Sequence, residues 1–270
     1  MNFIIGGTGL IGSEIIRQFA IPDDKQIAKS IYHPWWDSTL QKSIYEYLAR
    51  SMPEGGNLFI ASGLIDQSYD NFELLKVNFQ LPRNIIEVAN KLGIKTHTFG
   101  TIQEYLKTEN PYLNSKKQLA SFLEENGSLA FHTHYRLHTL YGGKNPKEFM
   151  FLSKLSDSIK LQKPFLMSSG KQLREFHHVE DDVAALKILC TNDSTGFIDI
   201  NHGKEMHIGD FALAVLMNYG LSYLLEIGAY PDPKNENYKL RFPRIALDDS
   251  FKFRDPVSGF IDFQNSMMNS

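Results

Sequence analysis

A tyrosine and a lysine lie four residues apart in the stretch 110–126, which reads NPYLNSKKQLASFLEEN. Asn110 suits the cap of a helix and Pro111 suits its first turn, so this stretch is predicted to be helical. Tyr112 and Lys116 then share one helix face. They form either a proton-transfer pair or part of a solvated face, and their spacing alone favours the solvated face.

Three glycines follow a short apolar strand at the start of the chain and precede a predicted helix. Gly6 permits a tight turn, Gly9 permits close approach of a diphosphate, and Gly12 permits the helix to pack against the strand. The N–H groups and positive dipole of that helix favour an anion. The alternative is a glycine-rich turn without a ligand, but the strand–turn–helix context favours a dinucleotide-binding site.

Predicted strands and helices alternate in the first half of the chain. The predicted strands are residues 2–5, a segment within 26–33, 57–62, 94–101 and a segment within 128–142. The predicted helices are residues 10–19, 38–52, 71–93, with Pro82 as a kink or a break, and 110–126. This alternation predicts an α/β fold, a Rossmann-type doubly wound parallel sheet with helices on both faces.

The alternation becomes less regular after about residue 144. A helix is predicted at 149–160, strands within 163–170 and at 196–201, and a helix at 207–220. We therefore predict an NAD(P)-binding Rossmann domain at residues 1–148, with residues 178–200 returning to it. Residues 149–270 are predicted to form a smaller, mainly substrate-binding part.

The composition excludes several classes of protein. The net charge of −3 gives no reason to expect a nucleic-acid or membrane partner. The single cysteine, Cys190, excludes an internal disulfide and is expected to be a buried thiol. No apolar run is long enough to span a bilayer, and the glycine-interrupted N-terminus has no basic region like that of a signal peptide. A cytoplasmic protein is expected.

Histidines lie in two groups, His132, His134 and His138 in HTHYRLH, and His177 with His178. Alternation along a strand places the first group on one face. Strand and loop structure accounts for both groups, so no metal is predicted.

An acidic residue about twenty residues after the glycine turn would bind the adenosine ribose of NAD. Tyr32 and His33 occupy the expected place, and Asp37 follows late. Lys29 or His33 would favour the additional phosphate of NADP. The cofactor is therefore NADP or NAD, with a slight lean to NADP.

Further motifs accompany the glycine turn and the Tyr-x-x-x-Lys pair in a fixed order. They are VNFQLPRNIIEVANKLGIK, FGTIQEYL, YRLHTLYGG, GKQLREFHHVEDDVAA and HIGDFALAVLMNYG. Together they resemble the extended short-chain dehydrogenase/reductase family, which modifies nucleotide sugars, over nearly the whole chain. The family implies a homodimer paired through long helices that include residues 72–92 and 112–125.

This resemblance assigns roles to individual residues. Thr101, Tyr112 and Lys116 are the implied catalytic residues. Lys116 and the positive nicotinamide would lower the pKa of Tyr112, which would exchange a proton with a substrate oxygen during hydride transfer. Thr101 would orient that same oxygen. The implied cofactor-binding residues are Gly6, Thr8, Gly9, Leu10, Ile11, Gly12, His33, Ala61, Ser62, Gly63, Asn78 and Lys116. The implied substrate-binding residues are Gln103, Thr139 and Arg174, of which Arg174 contacts phosphate.

The same resemblance narrows the reaction. Dehydratases of the family have Asp and Glu after the catalytic threonine, where this chain has Ile102 and Gln103; Glu104 is one place out of register. No cysteine lies near the site, and this argues against a reductase that also epimerises its substrate with a Cys/His pair. We expect reduction of a 4-keto-6-deoxy nucleotide sugar, with a nucleotide-sugar 4-epimerase as the alternative. A catalytically silent NAD(P)-binding sensor or scaffold is the alternative of another class, and the complete catalytic triad favours an enzyme.

Overall fold

The chain divides into two compact units in a computed structural model, which describes residues 1–66, 68–125, 131–143, 150–248 and 250–269. The first unit comprises Met1–Leu137 and Leu186–Asp199, and the second comprises His138–Ala185 and Ile200–Ser270. The predicted domain boundary at residue 148 lies outside the described residues, as do residues 128–130 of a predicted strand and Phe149 of a predicted helix.

The secondary structure of the described residues is numbered in chain order. The strands are β1 (Asn2–Ile5), β2 (Gln26–Ile27), β3 (Asn57–Ile60), β4 (Lys95–Thr101), β5 (His132–Leu137), β6 (Thr139–Tyr141), β7 (Phe165–Met167), β8 (Leu173–Arg174), β9 (Phe176–His178), β10 (Gly196–Asp199), β11 (Met206–His207) and β12 (Leu225–Ile227). The helices are α1 (Leu10–Phe19), α2 (Lys29–Tyr32), α3 (Gln41–Ser51), α4 (Asn71–Leu75), α5 (Leu81–Lys91), α6 (Pro111–Glu125), α7 (Phe151–Leu161), α8 (Val179–Thr191), α9 (Ile208–Asn218) and α10 (Pro256–Met268). No helix among the described residues combines the length and the apolar character needed to cross a membrane.

The first unit is built on a six-stranded sheet with the order β10–β5–β4–β3–β1–β2, in which every neighbouring pair runs parallel. Its buried side chains alternate between the two faces. Phe3 and Ile5 share a core with residues of α3, α5 and α6. On the opposite face, Phe59 packs against Phe19 of α1, with ring centroids 4.9 Å apart. The predicted Rossmann-type parallel sheet with flanking helices is confirmed.

The second strand lies within the predicted segment, residues 26–33, and is short. Only the two residues of β2 pair with β1, at the edge of the sheet. The chain then enters α2 and a 3-10 helix, His33–Trp36. Tyr32 and Trp35 lie three residues apart and both reach the core, which a helical turn permits and a strand does not. His33, a predicted cofactor-binding residue, therefore lies in a helical segment six residues beyond β2.

The predicted helix at 71–93 is a composite of α4, a π-helical turn (Lys76–Gln80) and α5. Pro82 lies in the first turn of α5 and has no N–H to donate to the carbonyl of Asn78. The wider turn before the proline is the structural response to that missing donor. Asn78, within this turn, is buried.

The second unit contains small two-stranded sheets and helices around an aromatic core. The pairs are β6–β9 and β7–β12, both parallel, and β8–β11, antiparallel. Phe176 stacks on Phe211 with ring centroids 3.8 Å apart, and Phe260 of α10 packs against Phe211. The core of this unit thus depends on side chains that are far apart in the sequence.

His177 of the second unit lies between two buried carboxylates. Its Nδ1 lies 2.6 Å from Oδ1 of Asp182, and its Nε2 lies 2.8 Å from Oε2 of Glu175. Burial alone would lower the pKa of His177, but Asp182 and Glu175 outweigh burial and raise it to about 9. The fold therefore stabilises the imidazolium form.

This raised pKa predicts that stability falls in mildly alkaline solution. Because the folded pKa exceeds the unfolded value, the stabilisation is complete below about pH 6.5 and is lost as the pH rises towards about 9. The unfolding free energy, measured with urea, should fall by on the order of 3 kcal/mol across this range. His177→Gln should remove most of that dependence. His207→Gln, at a half-buried position of the same unit, should retain it; equal slopes in the two variants would contradict the prediction.

Candidate active site

The glycine turn packs directly against the end of β3. Gly6 has a φ of +82°, a left-handed conformation that glycine adopts without strain. A Cβ at Gly6 would lie 2.6 Å from the carbonyl carbon of Ala61 and 2.7 Å from Cα of Ser62. A Cβ at Gly12 would lie 2.9 Å from the carbonyl carbon of Gly6. Packing within the protein therefore requires glycine at both positions.

Gly9 differs from Gly6 and Gly12, because neither its backbone conformation nor its packing against the described residues requires glycine. Its φ is −76°, which any residue adopts, and a Cβ there would have only the Gly6 carbonyl oxygen within 4 Å, at 3.6 Å, among the described residues. It is the N-cap of α1, where no side chain caps the helix and no acidic residue occupies the first turn. The exposed N–H groups and positive dipole therefore fit an anion such as a diphosphate.

Residues on either side of Gly9 complete the turn. Thr8 is exposed, and Leu10 and Ile11 are half-buried in the first turn of α1. Ser62 lies next to Gly6 at the carboxyl end of β3, and its buried hydroxyl has no hydrogen-bond partner among the described residues. Such an orphan polar atom fits a site for a polar ligand.

Asn78 links the loop after β3 to α6. Its Oδ1 accepts a hydrogen bond from the Leu64 N–H at 2.9 Å, and its Nδ2 donates to the Leu64 carbonyl at 2.9 Å and to Ser115 Oγ at 3.0 Å. Gly63 lies beside this contact, where an added Cβ would lie 3.4 Å from both Asn78 Oδ1 and Lys116 Nζ. The side chain of Asn78 thus positions the loop 61–64, which supplies three of the predicted cofactor-binding residues.

Thr101 ends β4 and caps the 3-10 helix Ile102–Tyr105. Its Oγ1 accepts a hydrogen bond from the Gln103 N–H at 3.3 Å, and Oε1 of Glu104 accepts one from the Thr101 N–H at 3.0 Å. These two bonds form a capping box. Because the Thr101 hydroxyl acts only as an acceptor in the cap, its proton is available for a substrate oxygen.

Tyr112 and Lys116 lie in the first half of α6, which packs on β4 and the 3-10 helix. Lys116 is buried, and its Nζ donates to the Phe99 carbonyl, two residues before Thr101, at 2.9 Å. Burial lowers the pKa of Lys116, and the charge of Glu104 opposes that shift. The three predicted catalytic residues therefore lie on two contacting elements, the end of β4 and α6.

The electrostatics of Tyr112 in the protein alone favour the neutral phenol. Burial raises the pKa of Tyr112 above its usual range, and the negative charge of Glu104 raises it further. Lys116 and a bound positive nicotinamide together were expected to lower this pKa, and that expectation for the cofactor-bound protein stays a prediction.

Glu104 is a residue that the sequence interpretation missed as part of the site. Its Oε2 lies 3.0 Å from Arg136 Nε and 3.2 Å from His134 Nε2 on β5, and all three side chains are buried. The Arg136 guanidinium also lies over the ring of Tyr105, 4.6 Å from its centroid. The sequence signal was present: Thr101 followed three residues later by Glu104 is the pattern of a capping box.

The adenosine end of a dinucleotide would lie near β2. Ala28 and Lys29 directly follow this strand and are exposed, while His33 is exposed six residues beyond it. Asp37 accepts hydrogen bonds from the N–H and Oγ1 of Thr39, at 2.9 and 2.8 Å, and so caps its own turn. No acidic side chain directly follows β2, as the sequence interpretation anticipated.

The predicted substrate-binding residues belong to different units. Gln103 is half-buried in the first unit. In the second, Thr139 donates its N–H to the Glu175 carbonyl at 3.2 Å. Arg174 donates to the Leu173 carbonyl at 2.8 Å and forms an ion pair with Glu236. A phosphate bound by Arg174 would therefore compete with Glu236.

His138, Glu175 and His177 place three potential metal-ligand atoms within 4.8 Å of one another. The rings of His138 and His177 stack with centroids 5.0 Å apart and planes 20° apart. A metal ion lies in the plane of each imidazole that binds it, and nearly parallel planes do not converge on one ion. Glu175 also accepts the N–H of His202 at 2.7 Å. A structural ion cluster accounts for this group better than a metal site, and the absence of a metal stays a prediction.

Comparison with known proteins agrees with this geometry. The model of the NAD dependent epimerase/dehydratase family matches residues 2–203. A search of curated proteins by sequence finds no significant match.

Three solved structures share the fold at low sequence identity. The NAD-dependent NDP-hexosamine 5,6-dehydratase TunA, involved in tunicamycin biosynthesis, is 15% identical with a TM-score of 0.79, covering 100% of this chain and 98% of its own. UDP-N-acetylglucosamine 4-epimerase from Methanobrevibacter ruminantium M1, in complex with UDP-N-acetylmuramic acid, is 16% identical with a TM-score of 0.74, covering 99% and 98%. The Bordetella bronchiseptica enzyme WbmG, in complex with NAD and UDP, is 17% identical with a TM-score of 0.74, covering 99% and 93%.

The contrast between the glycines predicts separable effects of substitution. Gly9→Ala should lower the melting temperature less than Gly12→Ala does, because its Cβ meets only the Gly6 carbonyl oxygen among the described residues, at an ordinary contact distance of 3.6 Å, but it should weaken binding of the dinucleotide at least tenfold by blocking the diphosphate. Gly12→Ala should instead lower the melting temperature, because its Cβ overlaps the backbone of Gly6. Calorimetric titration with NADH and NADPH, together with thermal unfolding, measures both effects. Full binding by Gly9→Ala would refute the assignment of the turn.

Proposed function

Because the chain belongs to the NAD-dependent epimerase/dehydratase family, we propose that it reduces the keto group of a 4-keto-6-deoxy nucleotide sugar, with Tyr112 as proton donor. The nucleotide-sugar part of the proposal is supported by the relatives of the same fold, which include an epimerase in complex with UDP-N-acetylmuramic acid and an enzyme in complex with NAD and UDP. The 4-keto-6-deoxy part rests on the motif resemblance.

The observation that carries the proposal is that Thr101, Tyr112 and Lys116 lie on two contacting elements, the end of β4 and α6. Burial and the charge of Glu104 raise the pKa of Tyr112, which favours the neutral phenol that donates a proton to a developing alkoxide. Thr101 has a hydroxyl proton for the same oxygen, and Lys116 is anchored to the Phe99 carbonyl beneath them. A bound reduced nicotinamide supplies the hydride. The protein's own part is to orient the carbonyl and to deliver the proton.

Dehydration fits the site less well. It requires an acid and a base beside the threonine, but Ile102 is buried and apolar and Gln103 does not ionise. Glu104 is the nearby carboxylate, and its oxygens bind the Thr101 N–H, His134 and Arg136. A carboxylate used in this way is not available to remove a substrate proton.

An epimerase is the second candidate, and its support is the fold shared with the Methanobrevibacter enzyme. Epimerisation through a keto intermediate begins with oxidation, for which Tyr112 must first act as a base. Burial and Glu104 raise the pKa of Tyr112 in the protein alone, so this step would depend on Lys116 and a bound positive nicotinamide to stabilise the phenolate.

The cofactor of the proposed reaction is NADPH or NADH. Lys29 directly follows β2, and no acidic side chain there would repel a 2′-phosphate, which supports the lean to NADP. The related WbmG is bound to NAD, so NADH is the alternative to be compared in the same assay. A homodimer and a cytoplasmic location stay predictions.

The direct test mixes the protein with NADPH or NADH and a panel of nucleotide-linked 4-keto-6-deoxy sugars and follows loss of the reduced cofactor. Consumption with one sugar supports the reductase and identifies the cofactor. Dinucleotide binding without consumption, but with interconversion of UDP-hexose epimers, supports the epimerase. Binding without either reaction supports a silent binding protein.

Tyr112→Phe removes the proposed proton donor without changing the ring. We expect kcat to fall by about 100-fold or more, with dinucleotide binding and melting temperature retained. Tyr45→Phe, on the exposed side of α3, removes a hydroxyl far from the site in sequence and should retain full activity. Unchanged turnover in Tyr112→Phe would exclude Tyr112 as the donor.

Arg174→Ala removes the proposed contact with the nucleotide phosphates. We expect KM for the sugar substrate to rise about tenfold, with binding of the dinucleotide unchanged. Arg241→Ala is the matched control, because Arg241 also pairs with a glutamate of the second unit, Glu205, but is largely exposed. An equal loss of dinucleotide binding in Arg174→Ala would contradict the assigned role.

A further inference from the structure

A chain of buried hydrogen bonds crosses the sheet of the first unit and ends at Glu104. Thr96 Oγ1 lies 2.7 Å from His132 Nδ1, and His132 Nε2 lies 3.0 Å from Thr98 Oγ1. Thr98 Oγ1 lies 2.7 Å from His134 Nδ1, and His134 Nε2 lies 3.2 Å from Glu104 Oε2. All five side chains are buried.

The chemistry of the last partner gives this chain a direction. An ionised carboxylate only accepts hydrogen bonds, so the Nε2–H of His134 donates to Glu104. When His134 is neutral, its Nδ1 accepts from the Thr98 hydroxyl, whose oxygen accepts from Nε2–H of His132. Nδ1 of His132 in turn accepts from Thr96. Every donor points towards Glu104, and bonds aligned in this way polarise one another and stabilise the anion.

Gly100 provides the space for the end of the chain. A Cβ at this position would overlap both Oε1 of Glu104 and Nε2 of His134. The φ of Gly100 is not in the left-handed region, so its backbone conformation is not the reason for glycine. The contact between Glu104 and His134 is therefore built into β4 one residue before Thr101.

Charged and titratable groups from several elements face Glu104. His134 and Arg136 approach from β5, Tyr112 and Lys116 act on it from α6, and Asp199 of β10 lies 3.7 Å from Arg136. Burial alone would raise the pKa of Glu104, but His134, the Thr101 N–H and Arg136 outweigh burial and lower it. Glu104 is therefore a fixed negative charge.

We propose that Glu104 is a positioning residue that holds Thr101 at the end of β4 and places a buried negative charge beside α6, the helix that carries Tyr112. Its bond to the Thr101 N–H sets where the Thr101 hydroxyl lies, and its charge opposes formation of the phenolate. The benefit of these effects to a reductase rests on the proposed function. The hydrogen bond to the Thr101 N–H and the effect of the Glu104 charge on Tyr112 do not depend on it.

The test uses the protein saturated with NAD⁺ and labelled with ¹³Cζ-tyrosine, with the Tyr112 signal assigned from Tyr112→Phe. In Glu104→Gln, the Tyr112 signal should titrate at a pH about one unit lower than in the wild type. Glu124→Gln is the matched control, because Glu124 also contacts Arg136, at 3.5 Å, but is exposed and is not part of the cap. It should leave the Tyr112 titration unchanged. Equal titration of the Tyr112 signal in Glu104→Gln and the wild type, including no titration in either protein, overturns the electrostatic role.

This titration requires no sugar turnover, so it separates the present inference from the proposed reaction. A shifted titration without reduction of any sugar would reject the reductase and retain the role of Glu104. An active reductase with an unshifted Tyr112 titration would support the reductase and reject the electrostatic role of Glu104.

Two further variants test the role if Glu104→Gln does not fold. Glu104→Asp retains the charge but shortens the reach to the Thr101 N–H, so kcat should fall about tenfold while the Tyr112 titration stays near that of the wild type. Gly100→Ala displaces both Glu104 and His134 and should lower kcat without abolishing dinucleotide binding. Full kcat in both variants overturns the positioning role.

Discussion

Close backbone contact at the glycine turn is the constraint on which the first unit depends. Gly6 lies against the backbone of Ala61 and Ser62, and Gly12 lies against the carbonyl of Gly6. These contacts bring the carboxyl ends of β1 and β3 together with the start of α1. A side chain at Gly6 or Gly12 would separate them, whereas Gly9 is not constrained by the protein. The same few residues therefore combine a packing requirement with a space suited to a ligand.

Local signals made this part of the fold predictable. The strand–turn–helix pattern around Gly6 and the cap at Asn110 depend on neighbouring residues, and both elements form where they were predicted. The second strand was less predictable because its end is decided by burial. Tyr32 and Trp35 reach the core of the first unit only through a helical turn, and no local signal in residues 26–33 reveals the position of that core.

The candidate site shows the same division. Thr101, Tyr112 and Lys116 were found through motifs, but their electrostatic surroundings depend on residues from another strand. Glu104 meets His134 thirty residues away and Arg136 thirty-two residues away in sequence. The motif favoured a tyrosine whose pKa is lowered by lysine together with a bound positive nicotinamide. In the protein alone, desolvation and the charge of Glu104 raise that pKa, and neither effect can be deduced from spacing.

Asn78 illustrates how one polar side chain can serve both fold and site. The resemblance assigned it to the cofactor, but its amide makes hydrogen bonds to Leu64 and Ser115. Ser115 in turn donates to the carbonyl of Tyr112 at 2.7 Å. The π-helical turn before Pro82 is what aims this amide at the loop, since Asn78 lies within it. Pro82 thus removes one helical hydrogen bond in the same turn that carries Asn78. The buried amide of Asn78 then links this turn to the loop after β3 and to the first turn of α6.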